Sequence, residues 1–430
     1  VNRSQLFAAL TLALSLTGSL AAQTRLSLRE ALDQAAKLSP DVQSAQLRYL
    51  ESQAAVDETK AAYQPQLTAT VAAQYQTSNL QGIGLIFPGF PSRVGPYRVF
   101  DARPRLTQTV LDLSLISGIR ASRERAGQFK QEALVTREST LLAVLQVYLQ
   151  ALQAESRVTA ADARLKTAEA VLEQTRDLES SGAASKLDIA RAEQQTETER
   201  FARINAQKDR DVLVTLLLRT IGMEQTAGDA NANVSLVAPM IAPQPPSQSA
   251  ERAEVGAANA RIRAAELEKQ RAERERLPKI QAFGDYGVLG TGPEQSLSTY
   301  AVGGAISVPL WTGRRIESQI AEAKARIGQA EQELRRVKLQ IDQEVKQARV
   351  EMDATRQAIT AAEKSAAAAR TSVELARLRF SAGLATNIDT IVAQGTEAQA
   401  EEQEIQARYD HLLARAKLAR AQGDVYSFFQ

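Results

Sequence analysis

Few side chains in this sequence suit bond-making chemistry, and those that form a pattern are carboxylates. The stretches SGAASKLDIA (181–190) and SAGLATNIDT (381–390) align. In each, a glycine (Gly182, Gly383) precedes an aspartate (Asp188, Asp389), and a hydroxyl residue (Ser185, Thr386) sits between them, three positions before the acid. A hydroxyl three residues ahead of an acid at a helix start is the spacing of a capping box, with Asp here in place of the usual Glu or Gln. Negative charge in a first turn also suits the helix dipole. Capping is the favoured reading for Asp188.

Other chemistries lack their residues. There is no nucleophile elbow, P-loop or HExxH motif. Cysteine is absent, which excludes disulfides, thiolate metal sites and a lipid-modified N-terminal cysteine. The single histidine, His411, lies in YDHLLARAK, where a solvated or interhelical role is expected. The many carboxylates are interleaved with Lys and Arg, as on solvated helix faces. No enzyme activity, cofactor or metal is expected. A formal charge of +2 with both signs interspersed gives no footprint for nucleic acid.

The elements that hold the paired turns come next. The chain has 430 residues, 44% hydrophobic and 24% charged, so it can fold, but only 5% are aromatic. Abundant Ala and Gln favour long, closely packed helices. Residues 1–21 read as a signal peptide: Arg3, an apolar run from Leu6 to Leu16, then Ser19-Leu20-Ala21, with cleavage after Ala21 or Ala22. Beyond it, no apolar run is long enough to span a bilayer as a helix.

A helical period begins at Leu28 and Leu32, with a break expected at Ser39-Pro40. At Pro65 the period changes to two. Leu67, Val71 and Tyr75 share one face of a strand near 65–76, and Thr68 and Thr70 the other. Residues 77–98 read as a loop, and a second strand is expected near 100–111. No proline interrupts 112–180. A helix that long spans about 100 Å at about 1.5 Å per residue. Together with a return helix it makes a hairpin over 112–221. Residues 226–249, with Pro239, Pro243, Pro245 and Pro246, read as a linker.

The second half repeats the programme. Strands are expected near 278–288 and 299–310, the first with Ile280 on its apolar and Gln281 on its polar face, the second with Val302, Ile306 and Val308 together. A hairpin follows over 312–421, then a tail over 424–430. YQPQLTA (63–69) matches RLPKIQA (276–282), and TVLD (109–112) matches VPLW (308–311). The structural repeats are thus 22–225 and 250–423. Ile316, Ile320, Ala323, Ile327, Ala330, Leu334, Val337 and Ile341 recur at alternating spacings of four and three, a coiled-coil seam.

For the helices alone, a soluble periplasmic coiled-coil scaffold or adaptor fits. Each strand, however, has about the ~9–11 residues needed to cross a bilayer, with one apolar face. Four strands cannot close a barrel, and open edges are not tolerated in lipid. If the strands cross a membrane, several chains must pool them. Tyr63 and Trp311 stand at strand–helix junctions, where an interfacial aromatic belt sits. A small soluble sheet packed on helices is the other reading of the strands.

From LSLREALDQAAKLSPDVQSAQ to LARAQG, the order and twofold repetition of these segments resemble the TolC-like outer-membrane efflux proteins. The resemblance implies a mainly α fold with a β-barrel portion. It implies a homotrimer pooling four transmembrane strands per chain, set in outer-membrane lipid and extended by long helices across the periplasm. It further implies a passive conduit of a tripartite efflux or type I secretion system. The partners would be a periplasmic adaptor protein and an inner-membrane pump, with residues 226–249 in an equatorial belt. Both turns then become periplasmic tips, where an adaptor docks. An acidic ring at the second tip lines the entrance in this family, which points to Asp389. The family often has a further acid one turn on, where this chain has Val392, so such a ring would be single. Phe380 and Ala385 also lack the polar groups that can tie closed tips together.

Overall fold

The computed structural model describes residues 24–84, 88–89, 91–182, 184–223, 234–238, 252–382 and 384–429. The expected signal peptide, Gly383 and most of 226–249 lie outside the described residues. In chain order the elements are β1 (Thr24–Ser27), α1 (Leu28–Leu38), α2 (Pro40–Ala61), β2 (Gln66–Asn79), β3 (Arg93–Leu111), α3 (Leu113–Ser180), α4 (Lys186–Ile221), β4 (Val234–Val237), α5 (Ala253–Arg274), β5 (Lys279–Gly290), β6 (Ser296–Ser307), α6 (Arg315–Ser381) and α7 (Asn387–Ala421). A 3-10 turn, Val425–Phe429, follows. Two compact units result. One takes residues up to Ser44, Leu134–Arg252 and Leu339 onward, and the other Ala45–Ala133 and Ala253–Lys338. Each unit therefore draws on both halves of the sequence.

The second unit holds an antiparallel sheet in the order β2-β3-β5-β6. Its register puts Tyr286 opposite Tyr300 and Ile280 opposite Ile306. The apolar positions Leu67, Val71, Tyr75, Tyr300, Val302 and Ile306 are all exposed within the chain. β3 starts at Arg93, earlier than the expected 100, although Gly95 and Pro96 read as loop residues. The register shift between Gln76 and Ser78 absorbs them as a bulge, so the ladder continues past the pair. β6 ends at Ser307, short of the expected 310. Pro309 has no N–H to give a ladder and pushes Val308 toward an extended, unpaired conformation. Val308 thus leaves the strand face expected for it.

The two strand-to-helix junctions differ. Asp112 caps α3: its Oδ1 accepts from the N–H groups of Ser114 (2.9 Å) and Leu115 (3.0 Å). Its Oδ2 pairs with Lys279 at 3.1 Å. The matching position in the second half is Trp311, which cannot cap. There the chain enters α6 through two left-handed residues, Gly313 and Arg314. Along α6 the expected seam is real: Ile316, Ala323 and Ala330 are buried.

The first unit contains the main core. α1 supplies Leu28, Leu32 and Ala35, α3 supplies Leu141, Leu145, Tyr148 and Leu149, and α4 supplies Leu217 and Ile221. Two elements here escape a periodic reading. β1 and β4 form a parallel pair, Thr24↔Val234 to Ser27↔Val237, inside segments expected as a helix start and a linker. Four residues are too few to display a period. The expected tail also packs inward, with Val425 and Phe428 buried in the same core. Tyr148 ties these pieces together. Its hydroxyl lies 2.8 Å from the carbonyls of Leu26 and Val237, to which its one proton donates, and it accepts from Val237 N–H at 3.0 Å. Burial pushes the Tyr148 phenol up to about 12, so it stays a donor.

Further along the hairpins, ion pairs join helices. Arg164 on α3 pairs with Glu199 on α4 at 3.2 Å and with Glu401 on α7 at 3.1 Å. Arg370 on α6 pairs with Glu404 on α7 at 2.8 Å. Beside Arg164 lies a pocket of about 100 Å³, lined also by Glu199, Gln394, Glu397 and Glu401. Burial, and then the Glu401 charge, push the Glu397 carboxyl above its ordinary 4.5.

Tyr148→Phe should lower unfolding stability by roughly 1–3 kcal/mol, because the Val237 N–H loses its partner; thermal unfolding in detergent measures it. Glu397 gives a pH dependence. A raised carboxyl pKa contributes stability that is present below 4.5 and is lost as pH rises through the folded value. Glu397→Gln should therefore raise the melting temperature at pH 7, and the gain should disappear by pH 4.

Candidate functional site: the hairpin tips and the polar strand face

At the first tip, α3 ends in hydrogen bonds from Gly182 N–H to Glu179 O (2.8 Å) and from Ala184 N–H to Leu178 O (3.2 Å). Gly182 has φ of +77°, a left-handed conformation that favours glycine. An added Cβ would meet nothing within 4 Å, so backbone conformation rather than space selects the residue. The chain then enters α4 through a reciprocal capping box. Asp188 Oδ2 accepts from Ser185 N–H at 3.0 Å and from Ser185 Oγ–H at 2.6 Å. Asp188 N–H donates to Ser185 Oγ at 3.3 Å. The Ser185 hydroxyl and amide hold the Asp188 carboxyl below its ordinary value.

The second tip is built alike. Leu384 N–H donates to Arg379 O at 2.8 Å, closing α6. Asp389 Oδ2 accepts from Thr386 N–H and Thr386 Oγ1–H, both at 2.8 Å. The Thr386 amide and hydroxyl hold the Asp389 carboxyl low. The Arg379 guanidinium acts in the same direction. Arg379 stands where the first tip has Leu178, and its charge was overlooked in the sequence reading. Leu187, Leu384, Ile388 and Val392 are exposed around the two turns.

The aromatic residues proposed for the membrane interface lie at the ends of the sheet. Tyr63 donates its O–H to Val110 O at 2.8 Å, pinning the α2–β2 junction to the end of β3. Trp311 is 86% exposed, beside a still more exposed Leu310.

The sequence reading missed a charge cluster on the polar face of the sheet. Arg105 is the register partner of Asp285 across β3 and β5. Asp285 accepts from Arg103 Nη1 and Arg105 Nη2, each at 3.3 Å. Asp101 accepts from Arg103 Nε at 2.6 Å and Nη2 at 2.5 Å. The signal was present: RPR sits at alternate positions in a strand whose face also carries Asp101. Strand register, not periodicity, reveals the partner on β5.

Comparison with known proteins bears on the whole chain. The outer membrane efflux protein family description matches residues 31–222 and 246–424. The outer membrane efflux protein BepC of Brucella suis biovar 1 is 24% identical over 384 residues, covering 85% of this chain and 78% of that protein. The pyoverdine export outer membrane protein OpmQ of Pseudomonas putida is 24% identical over 342 residues, covering 73% and 68%. The crystal structure of the outer membrane protein VceC from Vibrio cholerae superposes with a TM-score of 0.77 at 18% identity, over 94% of this chain and 97% of that one. Both halves fall under one family description, interrupted only at the proline-rich stretch, and the chain belongs to the outer membrane efflux protein family.

Proposed function

We propose that this chain is one of three that together form a passive export conduit. As a member of its family it is an outer-membrane efflux protein that reaches into the periplasm. The observation that carries the trimer is the sheet. β2 and β6 are its outer strands, and its apolar face is uncovered. In lipid, unpaired edge N–H and C=O groups each cost several kcal/mol, so spanning strands must close into a barrel. Three copies would pair β2 of one chain with β6 of the next. Leu67, Val71, Tyr75, Ile280, Val302 and Ile306 would then meet lipid, and Thr68, Thr70 and Gln281 the water-filled lumen. Tyr63 and Trp311 would sit in the aromatic belt. A soluble scaffold leaves the uncovered apolar face without a purpose.

In this reading the long hairpins end at the periplasmic entrance, where an adaptor protein and an inner-membrane pump engage the exposed apolar residues of the tips. The chain transports without chemistry of its own. Asp389 caps α7 and, in three copies near one axis, favours cations at the entrance. Arg379 offsets part of that field.

Purified protein should size as a trimer in detergent and fractionate with the outer membrane. A stable, detergent-free monomer with native helix content would sink the conduit. At the entrance, Asp389→Asn should lower cation preference in single-channel recordings, Arg379→Gln should raise it, and Asp188→Asn should leave it unchanged. Equal selectivity in parent and all three variants would reduce Asp389 to a helix cap.

A further inference from the structure

The polar face of the sheet carries charge only on its middle strands. Alternation places uncharged residues on that face of β2 and β6. β3 and β5 contribute Asp101, Arg103, Arg105 and Asp285 there, and Lys279 at the strand end is taken up by Asp112. The four central charges sum to zero, but in the Asp285–Arg105 pair the two signs lie at different depths. The Asp285 side chain is 3% exposed and that of Arg105 is 59% exposed. Asp101 and Arg103 are intermediate.

Packing fixes this layering. A Cβ on Gly287 would fall 2.2 Å from Ala102 O and 2.6 Å from Arg103 Cγ, so the glycine lets both the β3 backbone and the Arg103 stem approach β5. From there its guanidinium covers both carboxylates. The Arg105 guanidinium lies over the Phe283 ring, 6.0 Å from the centroid. Its bond to Asp285 uses Nη2. A guanidinium has five N–H donors in a planar fork, so donors remain for a solute. A device that only locked register would pair its charges and present neither sign. This one sinks Asp285 and offers Arg105.

We propose that this face is an anion-contact subsite for cargo, in which Arg105, backed by Arg103, holds the carboxylate, phosphate or sulfonate of a passing solute. The proposal rests on the conduit reading, under which the face lines the lumen and recurs in each subunit. The contact is a charge-assisted hydrogen bond to a planar fork, which suits bidentate oxyanions. Asp285 and Asp101 keep the guanidinium groups oriented while no solute is present.

The test uses the full-length protein in planar bilayers, with inorganic triphosphate added to each side in turn. Triphosphate should reduce the parent's current. Arg105→Gln should raise the half-blocking concentration at least about tenfold, the loss of one charge-assisted hydrogen bond. Thr70→Glu keeps all four charged side chains and places an acid opposite Arg103; it should weaken the block in the same direction. Should Arg105→Gln form no channels, Thr70→Glu decides alone. An unchanged block in the channel-forming variants overturns the subsite and leaves the conduit standing. A parent protein that forms no channels overturns the conduit reading, and the subsite with it.

Discussion

Backbone hydrogen bonding along the outer edges of β2 and β6 constrains everything else in this protein. Among the described residues those edges have no neighbour within the sheet, and the apolar side chains that alternate along β2 and β6 are exposed. Water would satisfy the edges, but it would leave Leu67, Val71, Val302 and Ile306 exposed. Lipid would accept the side chains and reject the edges. Pairing of the edges by further copies of the chain, as proposed above, would meet both demands together. The contrast between strands and helices follows from the same constraint. The strands carry their apolar residues outward at period two, while the α6 seam buries Ile316, Ala323 and Ala330 at helical spacing.

Duplication repeats the programme but not its details. The first long helix is capped by Asp112, which also holds Lys279 at the start of β5. The second starts after Gly313 and Arg314, with Trp311 in the capping position. At the far ends both return helices keep the hydroxyl-x-x-acid box, because each must satisfy its own first-turn N–H groups. The charge beside the box differs: Leu178 stands at one tip and Arg379 at the other. The capping geometry is what both tips retain.

The legible part of this structure is the part governed by period. The absence of proline from 112–180 and the heptads of α6 gave away the helices, and strict alternation from Leu67 to Tyr75 gave away β2. Both capping boxes could be read from Ser185–Asp188 and Thr386–Asp389. What escaped depends on partners distant in sequence. β1 and β4 pair across a sequence separation of about 210 residues, and Tyr148, 122 residues from Leu26, bonds the backbone of both. Arg103 and Asp285 meet across a sequence separation of 182, set by a strand register that no local pattern encodes. The start of β3 was hidden by Gly95 and Pro96, loop residues by type that the bulge accommodates. The inward packing of Val425 and Phe428 rests on two side chains in a turn too short to carry a period.

Composition along the hairpins also grades their cohesion. Around Tyr148 the core is built from Leu, Ile, Val and Phe, each worth about 1.5–3 kcal/mol when fully buried. Towards the second tip the buried cluster is Ala366, Ala369 and Ala400. A methyl group buries little area, so alanine lets α6 and α7 approach closely while binding them weakly. Val373 and Ala393 are buried closer to that tip, and ion pairs join the helices: Arg370 with Glu404, and Arg164 with Glu199 and Glu401. Glu199 and Glu404 are largely buried in these pairs, so the cost of desolvating their carboxylates offsets much of the attraction and the net contribution is small. Separating the helix ends near the tips therefore forfeits few apolar contacts, whereas parting the helices around Tyr148 would open the core. Apolar burial is thus concentrated around Tyr148, where several chain segments converge, and thins along α6 and α7 towards the second tip.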